Sequence, residues 1–61
     1  MNKEQFLIKS QMRTFKQLLE SNKKRYEETN DEYYKGKWDA YTLAFEALES
    51  MLETLEELND N

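Results

Sequence analysis

The 61-residue sequence predicts an all-α fold, an antiparallel hairpin of two helices that dimerises into a four-helix bundle. Three observations lead to this prediction. The chain has no proline and a single glycine, a composition that suits uninterrupted helix. Apolar residues recur at helical spacing from Phe6 to Tyr26 and again from Tyr33 to Leu58. A short polar segment separates the two stretches, so we expect a single domain over residues 1–61.

The first helix is predicted at about residues 3–27. Its apolar positions step alternately by four and three residues, as in helices that pack along one side. Lys23, Lys24 and Arg25 favour a helix end just beyond them, because cations offset the negative end of the helix dipole. Phe6 falls on the far side of this helix. The seam that we expect to face the second helix consists of Ile8, Met12, Phe15, Leu19, Asn22 and Tyr26.

The turn is predicted at about residues 28–30, with the second helix at about 30–58. Thr29 and Glu32 have the Ser/Thr-x-x-Glu spacing of a capping box, in which the hydroxyl and the carboxylate bind backbone amides at a helix start. The alternative break is Gly36, which would give a long first helix and a shorter second one. We favour the earlier break because it yields two helices of similar length.

The second helix carries two adjacent apolar seams, which together cover an arc of about 200°. This arc is wider than the stripe of about 100° that a helix buries against one neighbour. The small seam consists of Gly36, Ala40, Ala44, Ala47, Met51 and Leu58. The aromatic seam consists of Tyr34, Trp38, Tyr41, Phe45, Leu48, Leu52 and Leu55.

We expect the small seam to face the first helix, because small residues opposite large ones allow close packing. The predicted neighbours are Ala44 and Phe15, Ala47 and Met12, Ala40 and Leu19, and Gly36 and Asn22. The aromatic seam would then be exposed and would need a cover. That cover is either a second copy of the chain or a different protein. The aromatic residues predicted to bind a protein partner are Tyr34, Trp38, Tyr41 and Phe45, since aromatic side chains are favoured at the centres of interfaces.

Charge is segregated between the two halves. Residues 1–30 hold seven Lys or Arg and four acids, whereas residues 31–61 hold two Lys and nine acids. In the hairpin the basic flank of one helix can neutralise the acidic flank of the other. Alternatively, an acidic ridge that includes Glu49 and Glu53 mimics a row of phosphates and blocks a DNA-binding protein. We do not expect direct nucleic-acid binding, because the cations are diluted by acids and no reading motif is present.

The residue types that are absent exclude most chemistry. Without cysteine or histidine, the chain lacks disulfides, the usual transition-metal ligands and most pairs of nucleophile and base. Acid–base work requires a carboxylate in a buried environment, whereas the helically spaced glutamates lie on the wet face. We therefore expect no enzyme activity, no catalytic residue, no metal and no cofactor. No stretch has the about 18 apolar residues of a membrane span, so we expect a cytoplasmic protein.

The segment Tyr34-Lys35-Gly36-Lys37-Trp38-Asp39-Ala40-Tyr41, followed by Ala44 and Leu48, resembles the second helix of small helical proteins encoded by phages and prophages of low-GC Gram-positive bacteria. Their pattern runs aromatic, two residues, Gly, then Asp-Ala a few positions later and Leu-rich turns. The resemblance implies a small accessory protein in the cytoplasm of the host cell, of a kind that often binds and inhibits a host or defence enzyme. It transfers no functional residue to this chain.

Together, these observations predict a non-catalytic protein-binding module, an inhibitor or adaptor that acts through its aromatic and acidic helix face. Two alternatives stay open at this point. One is an acidic DNA mimic, and the other is a purely structural homodimeric bundle.

Overall fold

The computed structural model describes residues 2–59 as two helices, α1 at Lys3–Thr29 and α2 at Glu32–Asn59. This confirms the predicted all-α helical hairpin. The helices run antiparallel, since Tyr26 contacts Trp38 near the turn and Ile8 shares a groove with Leu55 near the open end. The molecule is a rod with principal extents of 48, 14 and 11 Å. The four-helix bundle stays a prediction.

A capping box that the sequence interpretation missed begins α1. The Gln5 N–H donates to Asn2 Oδ1 over 2.8 Å, and the Asn2 N–H donates to Gln5 Oε1 over 3.4 Å. Asn2 has an extended backbone, with φ −86° and ψ 172°. These bonds satisfy amides that lack a partner within the helix, and Glu4 adds a negative charge in the first turn.

The hairpin turns at Asn30 and Asp31, not at residues 28–30. Asn30 adopts the left-handed conformation, with φ 57° and ψ 24°, and its N–H donates to the Tyr26 carbonyl over 2.7 Å. Asparagine enters this conformation more readily than most residues do, so both helices can extend up to it. Gly36, the alternative break, lies inside α2.

The predicted capping box between Thr29 and Glu32 is wrong. Thr29 is the last residue of α1, where its hydroxyl donates to the Arg25 carbonyl over 2.8 Å and accepts from the Asp31 N–H over 3.1 Å. Asp31 caps α2 instead, because its Oδ1 accepts from the Tyr33 N–H over 3.0 Å. An aspartate directly before a helix satisfies a free amide and favours the positive end of the dipole.

The core between the helices is thin. Within residues 2–59, Ile8 at 9% exposure and Asn22 at 7% are the buried residues, and no large side chain is fully buried. Asn22 satisfies its buried amide by donating from Nδ2 to the Leu18 carbonyl over 2.8 Å. The other members of the predicted α1 seam, namely Met12, Phe15, Leu19 and Tyr26, are half-buried.

The chain consequently exposes more surface than a compact protein of its size. Its accessible surface is 4774 Å². A folded monomer of 7.4 kDa exposes about 4,200 Å² by the usual scaling of area with mass. A rod of two helices buries one stripe of each helix and leaves the remaining faces open, which accounts for the excess.

Candidate protein-binding surface

The aromatic seam of α2 packs against α1, which reverses the arrangement predicted from the sequence. The Tyr41 ring lies 6.0 Å from the Phe15 ring, and the Trp38 ring lies 6.2 Å from the Tyr26 ring, measured between centroids. Four predicted binding residues are half-buried as a result, namely Tyr34, Trp38, Tyr41 and Phe45. The large side chains occupy the side of α2 that faces α1 because they remove more apolar area from water than alanines do.

The small seam correspondingly faces away from α1. Gly36, Ala40 and Ala47 are exposed, and Ala44 is half-buried. A Cβ built on Gly36 would meet nothing within 4 Å, so the predicted close approach of Gly36 to Asn22 is wrong. The exposed Ala40 and Ala47 likewise do not face α1 as predicted, whereas the pairing of Ala44 with Phe15 stays a prediction.

Basic side chains lie over the faces of the aromatic rings near the turn. Lys23 Nζ lies 5.6 Å and Lys35 Nζ 5.2 Å from the centre of the Trp38 ring. On neighbouring rings, the Arg25 guanidinium lies 6.0 Å from Tyr34 and Lys37 Nζ lies 5.1 Å from Tyr33. Cations attract the negative face of an aromatic ring, so these contacts shield rings that α1 covers only in part.

An ion pair within α2 fixes one of these cations. Lys35 Nζ lies 2.9 Å from both carboxylate oxygens of Asp39, one turn further along the helix. The hydrogen bond to Asp39 raises the pKa of Lys35 above the ordinary value of 10.5, while desolvation acts in the opposite direction. Asp39 thereby holds the Lys35 ammonium beside the Trp38 ring.

An uncharged strip runs along the uncovered side of α2. Its residues fall within an arc of about 100° when the helix is projected at 100° per residue. Leu43 is the most exposed of the large apolar residues, at 70%, although it belonged to neither predicted seam. All but the half-buried Ala44 are exposed. This outer strip consists of Tyr33, Gly36, Ala40, Leu43, Ala44, Ala47, Met51, Thr54 and Leu58.

At the open end of the hairpin the outer strip borders an apolar groove between the helices. The groove has a volume of about 580 Å³, and its floor includes Leu7, Ile8, Met51 and Leu55. Three residues with polar side chains also line the groove, namely Glu4, Ser50 and Thr54. Together, groove and strip form a continuous surface of low charge on a chain that is 36% charged overall.

The predicted acidic positions differ from the aromatic ones in exposure. Glu49 and Glu53 are exposed, whereas Trp38 and Phe45 are half-buried against α1. The six predicted binding residues therefore differ in how much surface they offer to a partner. Across residues 2–59, no group of three or more acidic side chains is arranged to hold a metal ion. Neither helix, within the same described range, is long and apolar enough to cross a membrane.

The sequence carried a signal for this surface. Seven-residue steps connect Tyr33, Ala40 and Ala47, and also Ala44, Met51 and Leu58. A second heptad-like seam of this kind is typical of a helix with two packing partners. The groove was beyond prediction, because it depends on how far Leu7 of α1 stands from Met51 of α2.

Comparison of the chain with protein-family models, with curated proteins and with solved structures found no match.

Proposed function

We propose that this protein is a non-catalytic protein-binding module that acts through the outer strip of α2 and the adjoining groove. One observation carries this proposal, namely that α2 leaves an uncharged, partly apolar face open along its whole length while its aromatic seam is used internally. Contiguous apolar surface of this kind on a small, highly charged protein is typical of a site for another protein.

The packed aromatic residues support this function as a scaffold. Trp38 and Tyr41 attach α2 to α1, so that the outer strip is presented on a rigid helix and not on a mobile one. Preorganisation of this kind lowers the entropy that binding costs. Under this proposal Tyr34 and Phe45 act in the same way, and none of the four aromatic residues forms the centre of the interface.

The biological role that fits this module is that of a small inhibitor or adaptor, encoded by a phage or prophage and acting in the host cytoplasm. The resemblance of residues 34–48 to phage-encoded helical proteins supports that role. The module also pairs with itself as a homodimeric four-helix bundle, because the thin core of one hairpin leaves surface that a second hairpin can cover.

A second candidate is the acidic DNA mimic, favoured by the exposure of Glu49 and Glu53 on a helix that has no cation beyond Lys37. A protein that binds DNA would then be captured by charge alone. Such binding would weaken steeply as the salt concentration rises, whereas binding through the apolar strip would not.

The test is a pull-down from a lysate of the source cells with tagged protein, followed by identification of the captured proteins. We expect Leu43→Lys to abolish capture of a specific partner, because it places a charge at the centre of the outer strip. Lys16→Gln, which also changes the charge by one unit but on the exposed side of α1, should leave capture intact. Capture that survives Leu43→Lys but is lost in the double variant Glu49→Lys, Glu53→Lys would favour the DNA mimic and overturn the apolar strip.

A further inference from the structure

We infer that the outer strip binds a second copy of this chain in antiparallel orientation, with Tyr33 of each copy seated in the open-end groove of the other. The inference rests on the proposed function, because it names the partner of the same surface. Four observations support it: the fit of Tyr33 to the groove, the pairing of small and large residues, the arrangement of charge, and the area that remains to be covered.

The Tyr33 side chain, an apolar ring with a hydroxyl at its tip, suits the open-end groove. It is 63% exposed at the turn end of the outer strip, with no core position of its own. The groove offers an apolar floor of Leu7 and Met51, and a tyrosine ring buries well on such a floor. Glu4 and Ser50 also line the groove, and the oxygens of their side chains are of a type that can accept a hydrogen bond from the phenolic hydroxyl.

An antiparallel register that puts Tyr33 beside Thr54 of the second copy also matches the rest of the strip. In this register Gly36 lies opposite Met51, Ala40 opposite Ala47, and Leu43 opposite Ala44, each pair being formed twice by the symmetry. Small residues face large or small ones throughout, so the two α2 helices can approach closely. Gly36 has open space beyond its Cα, which leaves room for the Met51 side chain.

Charge favours the antiparallel orientation over the parallel one. The cations of α2, Lys35 and Lys37, lie in its first turns, whereas Glu49 and Glu53 lie in its second half. In the antiparallel register the end of α2 that carries these cations lies beside the acidic second half of the second copy's α2. Because Lys37 lies over the Tyr33 ring, it also comes close to the groove, which Glu4 lines. A parallel pair would instead place like charges together, which is unfavourable.

The area available suits a stable homodimer. Two separate chains expose about twice the 4774 Å² of one chain, whereas a compact protein of twice this mass exposes about 7,000 Å². The difference of about 2,500 Å² lies in the range of obligate homodimer interfaces. One hairpin alone has Ile8 as the buried apolar residue of its described part, so a second hairpin would supply the missing core.

Disulfide trapping tests the orientation directly, because the natural chain has no cysteine. A mixture of Gly36→Cys and Met51→Cys proteins should form a mixed disulfide dimer at least about tenfold faster than either protein alone. A mixture of Gly36→Cys with Lys16→Cys, which lies outside the strip, provides the control. Faster linkage of either single variant to itself would indicate a parallel dimer and overturn the inference.

Sedimentation equilibrium at micromolar concentrations tests self-association itself. We expect the natural chain to sediment as a dimer, and Tyr33→Ala to raise its dissociation constant about tenfold or more. Phe6→Ala, which removes a ring of similar exposure outside the strip, should leave the constant unchanged. Sedimentation as a monomer would overturn the inference. The pull-down with Leu43→Lys would then still test separately whether the outer strip captures a different protein.

Discussion

The ring of Phe15 in α1 lies 6.0 Å from the ring of Tyr41 in α2, and the two planes are tilted by 37°. This contact decides which face of α2 is available for binding. Because Tyr41 is turned toward α1, the rest of the aromatic seam turns with it, and the alanines, Leu43 and Met51 are left on the outside. The orientation of one helix about its own axis thus sets the chemistry of the exposed surface.

Tyr41→Ala should lower the free energy of unfolding by about 2 kcal/mol, somewhat less than a fully buried aromatic residue would lose. In a double-mutant cycle with Phe15→Ala, the two rings should show a coupling energy of about 0.5–1.5 kcal/mol. Chemical denaturation followed by circular dichroism measures both quantities. Phe6→Ala, on the exposed side of α1, is the control and should change the stability little. A coupling energy of zero would mean that the rings do not pack.

The cap at Asp31 should be worth about 1 kcal/mol, so Asp31→Ala should lower the free energy of unfolding by that amount. The physical reason is the loss of the acceptor for the Tyr33 N–H. Glu32→Asp keeps the negative charge of the first turn but shortens its reach. Thermal unfolding should show little effect of Glu32→Asp. A loss of stability equal to that of Asp31→Ala would instead indicate that Glu32 forms a capping box with Thr29.

The ion pair between Lys35 and Asp39 predicts a dependence on alkaline pH. The pKa of Lys35 is raised in the folded state, chiefly by its hydrogen bond to Asp39. Its contribution to stability is therefore complete below the unfolded value of 10.5 and is lost as the pH rises through the folded pKa. The effect should be small and sensitive to salt, because the pair is exposed.

Comparison of the natural chain with Asp39→Asn isolates this effect. The melting temperatures of the two proteins should differ at neutral pH and converge above the pKa of Lys35. A difference that persists unchanged at high pH would show that Asp39 acts through something other than the Lys35 ammonium.

Gly36→Ala should raise the helical stability of α2 by about 0.5–1 kcal/mol, since glycine loses more conformational freedom in a helix than alanine does. A methyl group at this position meets nothing within 4 Å in the single hairpin. Denaturation of the dilute protein measures the gain. Ser50→Ala, at another exposed position of the same helix, serves as the reference. A loss of stability at every concentration would show that residue 36 is packed within the hairpin.

Local features of the sequence suffice to predict two helices with a break near residue 30. That information is local, because the period of the apolar residues, the absence of proline and the run of Asn30 and Asp31 all act within a few residues. The cap was misplaced by two residues, since Thr29 and Asp31 both offer an oxygen that can accept an amide. Only the backbone conformation of Asn30 distinguishes them.

Tertiary structure alone decided which seam of α2 meets α1. Both seams have helical periodicity, and the pairing of small with large residues made the alanine seam a reasonable choice. The competing effect is that Trp38, Tyr41 and Phe45 bury far more apolar area than Gly36, Ala40 and Ala47 can. The balance between close approach of the helices and total area buried depends on both helices at once, so no property of α2 alone reveals it.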